Sequence, residues 1–299
     1  MHVVKLENVS KRINGKEIID NVSFKVKKGE VLGLLGTNGA GKTTIIRLIV
    51  GLVRASSGTI TISGHDNMLE YEKATEKLGA IVESPEFYPF MSGYQNLKYF
   101  SKMYRDITEE QIDKLVELSG LSNRIHDKLS EYSLGMKQRL GIAQALLNSP
   151  NILILDEPTN GLDPAGIQEL RQHIRYLAKE KELAIIISSH LIHEVELICD
   201  RVAIINEGKL VALKDIQDKK QYIIEVSNPN EAVMFINKRY SLNAKKYDKE
   251  IELSFIESTM EISTIIKQLV KNNFLIYRVE LKKNYLENDF LNLTSKLKE

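Results

Sequence analysis

The run Gly36-Thr37-Asn38-Gly39-Ala40-Gly41-Lys42-Thr43 matches the spacing G-x-x-x-x-G-K-[ST]. An apolar, strand-like segment (Val31–Leu35) precedes it and a helix-like segment (Lys42–Val50) follows it. Glycines at these positions permit a backbone whose N–H groups all face inward, a nest for phosphate oxygens. The helix behind the loop adds the positive end of its dipole. In that setting Lys42 is expected to reach the β- and γ-phosphates and the Thr43 hydroxyl to ligate Mg²⁺, with Asn38 and Thr44 as neighbouring nucleotide contacts. A glycine turn before an amphipathic helix could be purely structural, but a complete match between strand and helix predicts nucleoside triphosphate binding.

A second constellation supplies hydrolysis. Ile152-Leu153-Ile154-Leu155-Asp156-Glu157 is an apolar run ending in two carboxylates. A buried strand must be apolar, and ligands gather beyond its C-terminal end in an α/β sheet. Asp156 is expected to hold Mg²⁺ through water, and Glu157 to polarise the water that attacks the γ-phosphate. His190 follows another apolar strand, Ala184–Ser188, and is expected to contact the γ-phosphate beside Glu157. Alone, such a carboxylate pair would be a surface feature and His190 a loop histidine. The phosphate loop upstream reverses both readings.

The elements that must carry these residues alternate along the chain. Val3–Asn8 and Val22–Val26 read as strands, with a hairpin turn marked by Asn14-Gly15. Short strands follow near Thr59–Ile62 and Leu78–Val82. From about Pro85 to Asn148 the pattern is mainly helical, with Leu97, Phe100 and Met103–Tyr104 at helical spacing. Strands return at Ile152–Leu155 and Ala184–Ser188. The pattern predicts an α/β fold: a mostly parallel, doubly wound core sheet, an antiparallel β lobe at its start and a helical subdomain at about residues 85–149. A polar stretch at Asp215–Lys220 reads as a linker, ending the first domain at residue 215. Beyond it, residues 221–299 form a second domain: strand Tyr222–Val226, helix Asn230–Arg239, strand Ile251–Phe255, helix Met260–Asn272 and strand Phe274–Glu280. This order predicts a small α+β, ferredoxin-like βαββαβ accessory domain. Ile262, Ile265, Ile266, Leu269 and Val270 fall on one expected helix face.

Composition bounds the partners. The 299 residues carry a formal net charge of +1, so no global field favours nucleic acid, and no nucleic-acid partner is expected. Hydrophobic residues at 43% and charged residues at 27% fit a soluble globular protein. The longest apolar runs, such as Leu183–Ile187, are strand-sized and too short for a membrane helix. Met1–Ser10 reads as an alternating strand without a basic-then-apolar signal pattern, so a cytosolic location is expected. The single cysteine, Cys199, excludes an intramolecular disulfide framework and reads as structural in a helix interior.

Taken together, residues 1–215 resemble the ATP-binding subunits of ABC transporters. The most specific element is Ser133-Leu134-Gly135-Met136-Lys137-Gln138-Arg139, which is similar to the family's LSGGQ signature with Leu134 and Met136 departing from it. Ser133 is a good helix N-cap, with a helix expected over Leu134–Asn148. A serine hydroxyl, an approachable glycine at 135 and a helix N-terminus together make a second γ-phosphate receptor. The resemblance implies a head-to-tail dimer in which the signature of one subunit closes over ATP held by the other. Both half-sites look complete, so a homodimer is expected. Asn160-Gly161-Leu162-Asp163 resembles the loop coupling the two sites, which makes Asp163 a further contact. The resemblance also implies an ABC-2-type membrane permease as partner and a peripheral place on the cytoplasmic face of the membrane.

Two departures carry information. Family members usually stack an aromatic residue on adenine at the end of the first hairpin; Ile13 holds that place here, which implies weak adenine selectivity. The family's glutamine after the strand preceding the helical insertion is replaced by Glu83, expected near Mg²⁺ or the attacking water, where a carboxylate adds a full charge. This substitution, with the segment Glu83–Pro89 and the C-terminal domain, is similar to the subgroup exporting bacitracin and lantibiotics. The expected function is therefore peptide export. An importer subunit, a soluble ABC ATPase acting on ribosome or DNA, and a nucleotide-sensing regulator are the alternatives. The end segment Tyr285–Leu291 resembles a terminal helix of that subgroup.

Overall fold

The computed structural model describes residues 2–216, 219–256 and 261–281; the expected terminal helix at Tyr285–Leu291 lies outside them. The chain divides after Asp215 into two units.

In the first unit, β1 (His2–Ile13) and β2 (Lys16–Lys27) form a long antiparallel hairpin. Its turn residues, Asn14 (φ 50°) and Gly15 (φ 78°), both adopt the left-handed backbone expected of an Asn-Gly turn. β3 (Val31–Leu35) leads into α1 (Lys42–Val50), followed by β4 (Ser57–Ile62), β5 (His65–Asp66), α2 (Tyr71–Thr75) and β6 (Leu78–Ile81). The helical insertion comprises α3 (Gly93–Ser101), α4 (Glu109–Leu118) and α5 (Leu134–Ala145). β7 (Ile152–Leu155), α6 (Pro164–Glu180), β8 (Ala184–Ser189), α7 (Ile192–Ile198), β9 (Arg201–Asn206) and β10 (Lys209–Asp215) complete the unit.

Two sheets result. One is antiparallel in the order β2-β1-β4-β5, and the other is six-stranded in the order β10-β9-β3-β8-β7-β6. The larger sheet is parallel except for its β9–β10 edge. Strands β3, β7 and β8 are buried along their whole length, which is why they read as unbroken apolar runs rather than alternating ones. Each fully buried Leu or Ile there contributes roughly 1.5–3 kcal/mol. The insertion is held by its own core around Leu97, Ile112, Leu129 and Leu140. Two of its helices, α3 and α4, start with capping boxes, Ser92 with Gln95 and Thr108 with Gln111, each worth about 1 kcal/mol.

Helix ends depart from expectation. α3 stops at Ser101, so Met103 and Tyr104 lie outside it and are exposed; their helical spacing reflects no buried face. α5 ends at Ala145 rather than Asn148. Cys199 caps the C-terminus of α7 and is fully buried, and burial pushes its thiol well above the usual range.

The second unit contains β11 (Lys219–Val226), α8 (Pro229–Tyr240), β12 (Lys245–Tyr247), β13 (Glu250–Ile256), α9 (Ile262–Lys271) and β14 (Ile276–Leu281). The sheet order β12-β13-β11-β14, antiparallel throughout, is that of a ferredoxin-like βαββαβ unit. Ile265 and Leu269 are fully buried on α9, with Ile262 and Ile266 packed beside them. Val270 is 56% exposed and does not belong to that face.

Candidate functional site

The loop between β3 and α1 carries the residues expected to bind phosphate. Gly41 caps α1 at φ 110°, a conformation open to glycine, and no side chain caps this helix. The first helical bond of the loop runs from Ile45 N–H to the Gly41 carbonyl, 2.9 Å, so the amides of Lys42, Thr43 and Thr44 come before it. Asn38 and Gly39 sit exposed at the apex, while Gly36 is buried at the loop's base. Lys42 is only 5% exposed. Its ammonium donates to the carbonyls of Gly36 at 2.8 Å and Thr37 at 3.2 Å. It also lies 3.2 Å from Glu157 Oε1.

β7 delivers the carboxylates to the same place. Asp156 is buried, and its Oδ1 accepts a 2.6 Å hydrogen bond from the Ser188 hydroxyl. The same hydroxyl accepts the Glu157 N–H at 2.8 Å. Glu157 takes a left-handed backbone (φ 46°), turning the chain directly after the strand. Its second oxygen, Oε2, lies 2.9 Å from His190 Nδ1. Lys42, Glu157 and His190 therefore form one contiguous chain of polar contacts, with Asp156 alongside. The Thr43 hydroxyl and the Asp156 carboxylate are hard oxygen donors of the kind Mg²⁺ takes, so the residues present fit that ion.

Other expected residues are placed differently. Glu83 follows β6 by two residues as Glu157 follows β7, and the two strands are parallel neighbours, with Asp156 N–H donating to the Ile81 carbonyl at 3.0 Å. The Glu83 carboxylate, however, pairs with Arg47 of α1 on the solvent side. Ile13 ends β1 opposite Lys16 and is 44% exposed. The hairpin residue that packs on the loop is Ile19: a Cβ added to Gly41 would stand 2.8 Å from Ile19 Cδ1.

Ser133 caps α5, its hydroxyl accepting from Met136 N–H at 3.2 Å. Asp163 caps α6, its Oδ1 accepting from Gly166 N–H at 3.0 Å. These two turns pack on each other. Gly161 (φ 76°) lies under Leu134, whose Cδ2 would be 2.7 Å from an added Cβ, and Gly135 faces Leu162. The side-chain bonds of Ser133 and Asp163 stay within their own helices, so this pair of turns forms a second cluster beside the Lys42–Glu157–His190 one.

The sequence reading missed Ser188, and with it Thr159, Ser189 and Glu194, which are all buried. The available signal was a pair of serines closing an otherwise apolar strand, where a polar residue needs a partner.

A family profile described as ABC transporter matches residues 19–160. The chain is 48% identical to an uncharacterized ABC transporter ATP-binding protein, YhcH of Bacillus subtilis, over 99% of this chain and 97% of that protein. It is 35% identical to the bacitracin transport ATP-binding protein BcrA of Bacillus licheniformis over 97% of both chains. Among solved structures it is similar to cbiO1 from Clostridium perfringens, part of the ABC transporter complex cbiONQ. The TM-score there is 0.67 at 27% identity, covering 80% of this chain and 96% of that one.

Proposed function

From the premise that this chain belongs to the ABC transporter family as an ATP-binding, ATP-hydrolysing subunit, we propose that it powers export of an amphipathic or antimicrobial peptide through a separate ABC-2-type membrane permease. The observation that carries this reading is the 35% identity to a bacitracin transport ATP-binding protein over 97% of both chains. That similarity runs past Asp215 into the second unit, well beyond the region common to the family profile.

In this reading residues 1–215 are the ATPase domain, with the helical subdomain at about 85–149, and residues 221–299 are an accessory domain. The amides after Gly41 and the Lys42 ammonium receive the β- and γ-phosphates. Thr43 and Asp156 hold Mg²⁺, which when bound neutralises charge on the phosphate oxygens. Glu157 polarises the attacking water, and His190 orients that carboxylate from 2.9 Å away while facing the γ-phosphate. Glu157 also lies 3.2 Å from Lys42, so the base and the phosphate ligand are assembled in advance.

Ser133, Gly135 and Asp163 act in trans, closing over ATP held by a second copy in a head-to-tail dimer. That the Ser133 and Asp163 side chains bond within their own helices rather than to Lys42 supports that division. Tyr88, Phe90 and Tyr99 form an exposed aromatic group on the helical insertion, suited to meet the permease. No helix among the described residues is long and apolar enough to cross a membrane. The chain then works at the cytoplasmic face, held there by its partner.

The test is resistance. Cells lacking the chain are complemented with wild type or Lys42→Ala and challenged with bacitracin and with a lantibiotic. Resistance restored by wild type alone supports the reading. Equal sensitivity of both strains, with ATP hydrolysis by the wild-type chain intact, overturns peptide export and leaves the ATPase standing.

A further inference from the structure

We propose that Glu194, which accepts hydrogen bonds from Thr159 and Ser189, is the positioning residue that fixes His190 against Glu157. The proposal rests on the ATPase roles of Glu157 and His190 given above.

Glu194 is the third residue of α7 and only 7% exposed. Its Oε2 accepts two hydrogen bonds, from the Thr159 hydroxyl at 2.5 Å and from the Ser189 hydroxyl at 3.0 Å. Thr159 belongs to the turn that begins at Glu157, a turn closed by Asn160 N–H donating to the Glu157 carbonyl at 3.2 Å. Ser189 precedes His190, and its hydroxyl also accepts the Leu191 N–H at 3.0 Å. His190 is therefore bracketed: the residues on either side of it are tied together through Ser189, and Ser189 is tied to Glu194. One carboxylate oxygen holds both the segment bearing the base and the segment bearing the histidine.

Successive strand residues point to opposite faces. At the end of β8, Ser188 serves Asp156 and the Glu157 amide, while Ser189 serves Glu194. Burying a carboxylate among hydroxyls, with no ion pair to it among the described residues, is unfavourable unless its acceptor bonds are needed. Those bonds converge on the 2.9 Å contact between Glu157 and His190. Truncating Glu194 would release both segments at once, and a shift of about 1 Å at a reacting group can cost about a hundredfold in rate.

Steady-state ATP hydrolysis by the full chain tests this, together with binding of a fluorescent ATP analogue and a thermal melt. Glu194→Ala should lower kcat by about ten- to a hundredfold, with KM and analogue affinity held within about twofold. Glu194→Gln keeps a neutral acceptor oxygen and should restore most of kcat. Thr159→Val, which removes one of the two bonds, should fall between. If the melt shows Glu194→Ala to be unfolded, Thr159→Val and Glu194→Gln carry the test. Unchanged kcat in Thr159→Val together with unchanged kcat in any folded Glu194→Ala overturns the proposal, as does a loss of kcat matched by loss of analogue binding. A wild-type chain that hydrolyses no ATP defeats the ATPase roles instead.

Discussion

Arg47 and Glu83 form an ion pair that joins α1 to the chain leaving β6. Arg47 stands one helical turn beyond Thr43 and on the same face. The pair thus holds the Glu83 carboxylate against the last turn of that helix. Both side chains are well solvated, so the pair contributes about 1 kcal/mol or less to stability. Its significance is where it keeps the charge. Glu83→Gln should leave ATP binding intact and raise the Mg²⁺ concentration needed for half-maximal hydrolysis severalfold. Arg47→Ala, which frees the carboxylate, should lower it. Magnesium titrations of ATPase activity that superimpose for all three proteins would contradict a role for Glu83 at the metal.

Glu157 contacts Lys42 and His190 with its two oxygens. Replacing it with Gln preserves the shape and removes the proposed base. Hydrolysis should fall by about 10²–10⁴-fold, while ATP stays bound and the chain elutes as a dimer in its presence. Filter binding and size-exclusion chromatography with ATP check both halves. A Glu157→Gln protein that turns over near the wild-type rate assigns the base elsewhere.

How much of this was legible depends on how local each feature is. The phosphate loop is a contiguous run whose φ requirements are written in its glycines, and the Asn14-Gly15 turn is equally local. The buried strands announced themselves because both their faces are covered, so their residues are apolar except for the two serines that close β8. Thr159 and Glu194 gave no such sign, and Ser188 did not name its partners, since these bonds span 31 to 35 residues of sequence and exist only once β7, β8 and α7 are stacked. Ile19 was hidden for the same reason: nothing in the hairpin sequence says which isoleucine will press on Gly41. The Met103–Tyr104 error came from reading helical spacing past a helix end that only the packing of α3 defines.

Ile13 is 44% exposed at the tip of the first hairpin, where an aromatic residue would offer a stacking surface. Stacking is worth roughly 1–3 kcal/mol per base where measured on nucleic acids. Ile13→Tyr should therefore lower KM for both ATP and GTP, by fivefold or more on the order of that energy. The wild type should discriminate little between the two. A strong wild-type preference for ATP, or no change in KM on substitution, would show that Ile13 does not meet the base.

His173 lies on α6 in the wall of a groove of about 900 Å³. Burial first, and the Arg139 charge second, push its imidazole down to about 4. The unfolded chain titrates near 6.5, so between these values the unfolded state binds more protons and folding weakens as pH falls. The contribution is complete above about pH 6.5 and declines toward pH 4, by roughly 1–2 kcal/mol at pH 5. His173→Gln should remove this share of the acid sensitivity. Urea midpoints at pH 7.5 and pH 5 check it, and an undiminished acid loss in the variant counts against His173.

The packing of Leu134 on Gly161 has a reach beyond its own turn. Gly161 stands a few residues downstream of Glu157 on the same stretch of backbone, and Leu134 is the neighbour of Ser133. In the proposed head-to-tail dimer, a displacement at Glu157 would reach, through Leu134 on Gly161, the Ser133 turn that the same copy extends over its sister.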